Sequence, residues 1–168
     1  LWEALEEVAG GVAHVDLVFV SHQDPDVASN AKFLVDNAPG AVVIASVDSW
    51  RLLGMMGIPD RRFYLVESWG EEPLEIQRTG HRLHPVPAHY CHFRGSMMMY
   101  DYESRVLFSG DLCGGVNTRG GEGIYADEAS WEGISLFHQI YMPSKRAVQE
   151  AIGRIVALEP PPEVIAPQ

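Results

Sequence analysis

Cysteine is scarce in this chain: Cys91 and Cys113 are the only two. A pair with no evident pairing frame argues against a disulfide-built scaffold and suits a reducing, cytoplasmic setting, with a single Cys91–Cys113 bridge left open. Basic residues are also few. Twelve Lys and Arg stand against 23 Asp and Glu, a formal net charge of -11. That balance excludes sequence-independent nucleic-acid binding, which needs phosphate neutralisation, and a polybasic contact with a membrane surface. No apolar run approaches the ~18 residues of a membrane-spanning helix, and no basic-then-apolar leader is present. The chain opens at Leu1 rather than Met, so its start is expected to be missing or processed. Internal repeats are absent, and low complexity is confined to one glycine-rich stretch.

What is present reads as one globular domain of 168 residues, 46% apolar and 21% charged, enough for a substantial core. The first half alternates helix and strand. Residues 1–8 read as a helix tail with Leu1, Leu5 and Val8 on one side, ended by Gly10-Gly11. Residues 16–20 and 41–45 are apolar runs expected as buried strands. A helix over 27–37 carries Ala31, Leu34, Val35 and Ala38 at helical spacing, and a short helix over 47–56 closes at Gly57 and Pro59. The second half is strand-rich. Short strands are expected at 62–66, 74–78, 82–86 and 105–108, with another at 97–102 turning tightly at Glu103-Ser104. Met97, Met98 and Met99 alternate faces on that strand, so at least one is expected in the core. The strongest helix spans 143–158. Pro143 suits its first turn, and Ala147, Val148, Ala151, Ile152, Ile155 and Val156 form one face. Pro160-Pro161-Pro162 stops it, and a last strand begins at 163–166. This order predicts an α/β sandwich rather than a doubly wound sheet.

Ser21-His22-Gln23-Asp24-Pro25-Asp26 places three potential metal ligands directly after an apolar strand. As structure alone, Asp26 caps a helix starting near Val27 and Pro25 stiffens the turn. That reading leaves His22 and Asp24 together unexplained. Imidazole with carboxylate is a ligand set for iron, zinc or manganese. A second segment, Ala88-His89-Tyr90-Cys91-His92-Phe93-Arg94-Gly95-Ser96-Met97, holds two histidines three apart. They cannot both face one site from a strand. The third, Val106-Leu107-Phe108-Ser109-Gly110-Asp111, again ends an apolar strand in a carboxylate, which is either a turn Asp or a ligand able to bridge two metals.

In this order, His-x-Asp-x-Asp, then His, then Phe-Ser-Gly-Asp resembles the metallo-β-lactamase superfold. The oxygen-binding di-iron branch, with its flavodiiron and stand-alone oxygen-sensing members, is the nearer resemblance. It implies an α/β fold of the αββα sandwich type over nearly the whole chain, 1–168, as an incomplete copy lacking the opening strands and the final His-Gly segment. It selects His92 over His89. One iron would then take His22, Asp24 and His92, the other Asp26 and a final His, with Asp111 bridging. The branch commonly has Glu where Asp24 stands. Val27 occupies a position where hydrolases of the superfold carry a metal-binding His.

The resemblance implies two iron ions and a protein that binds, senses or reduces dioxygen, with an external electron donor if it turns over as an oxidoreductase. A zinc hydrolase acting on an ester, thioester or amide is the alternative, and a non-catalytic regulatory module is another. A homo-oligomer is expected. The glycine-rich stretch over 114–123 lacks the Lys-Ser/Thr pair of a nucleotide cradle and is expected as a mobile flap over the metal pocket. Tyr125, Phe137 and Tyr141 either line that pocket or serve as core or interface aromatics. Cys91 and Cys113 flank the candidate ligands and are expected to be packed rather than redox-active.

Overall fold

The computed structural model describes residues 1–70, 72–116 and 124–168. Most of the glycine-rich stretch, 117–123, lies outside them. The chain forms two compact units, Leu1–Glu72 and Pro73–Gln168. Each carries its own sheet and its own buried cluster. No helix among the described residues is long and apolar enough to cross a membrane.

In the first unit, α1 (Trp2–Ala9) ends at Gly10, whose φ of 70° takes the left-handed conformation that glycine adopts without steric cost. Then follow β1 (Leu17–Phe19), α2 (Pro25–Asn37), β2 (Val42–Ala45), α3 (Val47–Leu53) and β3 (Phe63–Leu65). The strands form a parallel sheet in the order β1-β2-β3, with Val18 opposite Val43 and Ile44 opposite Tyr64. Continuous apolar runs suit parallel strands that are covered rather than half-solvated. Val18, Val20, Val43, Ala28, Ala31 and Val35 pack into the core of this unit. The Ser46 hydroxyl accepts the Ser49 amide to cap α3. Arg62 donates to the carbonyls of Val35, Ala38 and Pro39, satisfying acceptors at the end of α2. The helix expected from Val27 begins two residues earlier. Asp24 is its N-cap residue and Pro25 its first, because the fixed φ of proline is preformed for a first turn. Asp26 therefore sits inside the first turn and is not the cap.

The second unit holds β4 (Leu74–Ile76), β5 (His81–Pro87), β6 (Met97–Asp101), β7 (Val106–Gly110), α4 (Trp131–Tyr141), α5 (Lys145–Val156) and β8 (Val164–Pro167). The sheet runs β4-β5-β6-β7-β8, antiparallel until β8 joins β7 in parallel. Every residue of β6 is buried, so all three of Met97, Met98 and Met99 lie in the interior. Tyr100 is fully buried, and its hydroxyl donates to the Pro160 carbonyl. The strong helix begins after Pro143 rather than at it. Ser144 caps it, accepting the Ala147 amide. Its inward face is narrower than the apolar pattern implies: Ala147, Ala151 and Ile155 are buried, while Ile152 and Val156 are 39% and 77% exposed.

Helix α4 falls on a stretch to which the sequence pattern assigns no element. Its entry is a capping box. The Asp127 carboxylate accepts the Ser130 amide, and the Ser130 hydroxyl accepts the Asp127 amide. That local signature, followed by Ile134, Phe137 or His138, and Tyr141 at helical spacing, is the signal that could have found it.

Candidate metal centre

The first unit supplies the turn between β1 and α2. The Val20 amide still bonds to the Ile44 carbonyl, so the strand holds its line up to Ser21. His22 is 2% exposed, and its Nδ1 lies 3.0 Å from the neighbouring Ser21 hydroxyl. That contact restrains the orientation of the His22 ring. His22 and Asp24 offer ligand atoms within 4.8 Å of each other. Asp24 is half-buried and accepts from the Gln23 side-chain amide at 2.8 Å. Gln23 Oε1 is a buried oxygen with no hydrogen-bond donor among the described residues. Asp26 is exposed, and its carboxylate accepts the Val27 amide at 3.2 Å.

The second unit supplies the loops after β5 and β7. The first of these is fixed by its own backbone. The Ala88 amide bonds to the Ser96 carbonyl, and the Tyr90 amide to the Phe93 carbonyl at 2.8 Å. The Phe93 amide donates to the Ser96 hydroxyl. Tyr90 takes a φ of 62°, uncommon for a residue with a side chain. Its two histidines diverge. His89 is exposed, with Nδ1 2.8 Å from the Arg94 carbonyl oxygen. His92 is half-buried, and its Nε2 stands 3.1 Å from Asp111 Oδ2. Asp111 follows β7 in a turn closed by the Gly114 amide on the Asp111 carbonyl and by the Ser109 hydroxyl on the Leu112 carbonyl.

The donor set fits a hard or borderline cation. Two donors each ~2.1 Å from one ion, at right angles to it, lie ~3.0 Å apart, close to the His92–Asp111 spacing. Burial pushes the Cys91 thiol up to about 11, with Arg154 opposing only in part, and burial likewise raises Cys113. Neither cysteine is in a disulfide.

Helix α4 contributes what the sequence does not announce. The Tyr141 ring lies 5.4 Å from the His92 ring, and Phe137 stacks on Tyr141 at 4.7 Å. Of the three candidate aromatics, Tyr141 stands beside a candidate ligand with Phe137 stacked on it, whereas Tyr125 is 78% exposed. His138, on the same helix, accepts the Cys113 amide at 3.1 Å.

The whole chain, residues 1–168, matches the model of a family described as ODP family beta lactamase. Among solved structures it resembles the peroxy di-iron species of the chemotaxis sensor ODP, with 27% identity and a TM-score of 0.80 over 100% of this chain and 70% of that one. The apo state of the chemotaxis sensor ODP from T. denticola gives 26% identity and a TM-score of 0.81 over 99% and 67%. A histidine-to-asparagine variant of a flavo di-iron protein from Thermotoga maritima shares the fold at 20% identity and a TM-score of 0.77, over 98% of this chain and 40% of that one. No curated protein matches the chain.

Proposed function

The chain belongs to the ODP family of beta lactamases, with the metallo-β-lactamase-like fold, and on that premise we propose that it is a di-iron protein that binds or senses dioxygen. The observation that carries the reading is the approach of His92 Nε2 to Asp111 Oδ2 at 3.1 Å, in a chain resembling a sensor solved as a peroxy di-iron species. His22, Asp24 and His92 would hold one iron, Asp26 would contribute to the second, and Asp111 would serve both. When bound, the irons would supply the redox-active chemistry that dioxygen binding requires.

The protein's own groups do the rest. The Ser21 hydroxyl, against Nδ1, would help orient the His22 ring as a ligand. The Tyr141 ring packs beside His92, with Phe137 stacked on it. The carboxylates, three of the five proposed ligands, favour the higher oxidation state, and neutral imidazoles moderate the charge. Binding or sensing takes precedence over turnover, since repeated reduction requires an external electron donor. The free thiols support a reducing, cytoplasmic setting. Association with a second copy has its support in exposed Trp131, Ile140 and Val156.

The test is metal analysis of protein purified without oxygen, followed by visible spectroscopy on exposure to dioxygen. Two irons per chain and an oxygen-dependent absorption change are expected. Protein that instead carries zinc, ignores dioxygen and hydrolyses an ester in a chelator-sensitive manner would overturn the reading in favour of the hydrolase.

A further inference from the structure

Behind the Asp111 turn, α4 and the chain from Cys113 to Val116 meet backbone to backbone. The Val116 amide donates to the Gly133 carbonyl. A Cβ on Gly133 would stand 2.1 Å from the Val116 carbonyl oxygen, and one on Gly115 would stand 2.9 Å from the Ile134 nitrogen. Only glycine at both positions permits this approach. His138 adds a side-chain bond to the contact. Its Nδ1 lies 2.8 Å from the Ile134 carbonyl oxygen and so carries the proton, because a carbonyl can only accept. Nε2 is then the acceptor, and it takes the Cys113 amide at 3.1 Å. Cys113 lies three residues beyond the end of β7 with a φ of 70°, and its amide takes its partner outside the strand ladder. One turn along the same helix, Tyr141 lies against His92.

We propose that His138 is a positioning residue for the metal centre. By accepting the Cys113 amide it fixes the turn that carries Asp111, and α4 thereby sets both Asp111 and His92 in the second unit. The inference rests on the di-iron reading for its consequence, but its structural content can be measured without metal. Groups that orient ligands from behind commonly contribute 10–100-fold to metal affinity, although they touch no metal.

The experiment compares His138→Phe, which keeps a ring and removes the acceptor, with His138→Gln, which keeps an acceptor. Iron affinity is measured by competition with a chelator, and amide hydrogen exchange is followed in metal-free protein. His138→Phe is expected to weaken iron binding roughly 10–100-fold. It should also speed exchange at Cys113 about fivefold, the effect of losing one ordinary hydrogen bond, while β5–β7 amides stay protected as the control for folding. His138→Gln should recover most of both. Wild-type iron affinity and unchanged Cys113 exchange in His138→Phe would overturn the proposal. So would a Gln variant that restores the Cys113 amide yet binds iron as poorly as the Phe variant. Should the wild-type protein bind no iron, the di-iron reading fails, and Cys113 exchange alone still decides whether His138 holds the turn.

Discussion

His92 Nε2 and Asp111 Oδ2 stand 3.1 Å apart, although one residue lies in the loop after β5 and the other after β7. Two loops of one mixed sheet thus deliver an imidazole and a carboxylate to one spot. A turn Asp and a hydrogen-bonded His, each read alone, give no reason for that meeting.

The first prediction separates the proposed ligands. Asp111→Ala should release both metals, because the bridging carboxylate serves each. Asp26→Ala should release mainly one. His89→Ala should leave metal content unchanged, since its ring is engaged with the Arg94 carbonyl. Iron per chain in anaerobically purified variants decides, and full retention in Asp111→Ala would remove the bridge from the scheme.

Acid stability should depend on Asp101. Burial alone would raise its carboxyl, but hydrogen bonds from Ser104, His81 and the Glu103 amide outweigh that and hold it below the ordinary value. A depressed carboxyl stabilises the fold above its unfolded value, and that contribution is lost as pH falls through the folded one. The loss should therefore appear from about pH 4 downward, given an unfolded value near 3.9. Urea midpoints measured against pH should fall less steeply over that range in Asp101→Asn than in wild type. Parallel slopes would show that Asp101 is not the source.

Parts of this fold are plain in the sequence. The runs ending at Val20 and Ala45 are apolar on both faces, and they form the neighbouring parallel strands that such runs imply. The Met97 strand and its tight return to Val106 are equally visible. Less legible are features set by tertiary contact. Proline at a first turn moves the start of α2, and Ile152 and Val156 belong to an apolar pattern but not to the buried face of α5. Helix α4 is hard to see because its apolar residues do not form a clean stripe: Trp131 and Ile140 are 67% and 64% exposed. Its capping box at Asp127 and Ser130 is the one clear sign. His138 has no motif at all, because its role exists only where α4 meets Cys113.

The cysteines give a third prediction. With the Cys91 thiol near 11, about one molecule in a thousand is a thiolate at pH 8. Burial also raises Cys113. Native protein should react very slowly with a disulfide reagent at that pH and release two equivalents promptly in denaturant. Rapid labelling of one native thiol, located by peptide mass, would reveal a reactive site that this packing does not provide.

Two glycines should respond in opposite directions to the same change. Gly153 lies on the exposed side of α5, and a methyl group added there would meet nothing within 4 Å. Gly153→Ala therefore keeps every contact and removes backbone freedom from the unfolded chain. It should stabilise the protein by about 0.4–1 kcal/mol. Gly133 is also helical, and propensity alone would favour alanine there too. A Cβ 2.1 Å from the Val116 carbonyl cannot be accommodated by a side-chain rotation, because the obstacle is backbone. Gly133→Ala must push α4 away from the 113–116 segment, and overpacking of this kind costs about 1–3 kcal/mol. Denaturant midpoints should rise for the first variant and fall for the second at unchanged slope. The second should also loosen the Cys113 amide, since the displaced helix carries His138 with it. A Gly133→Ala protein as stable as wild type would mean that α4 does not lie against Val116 in solution.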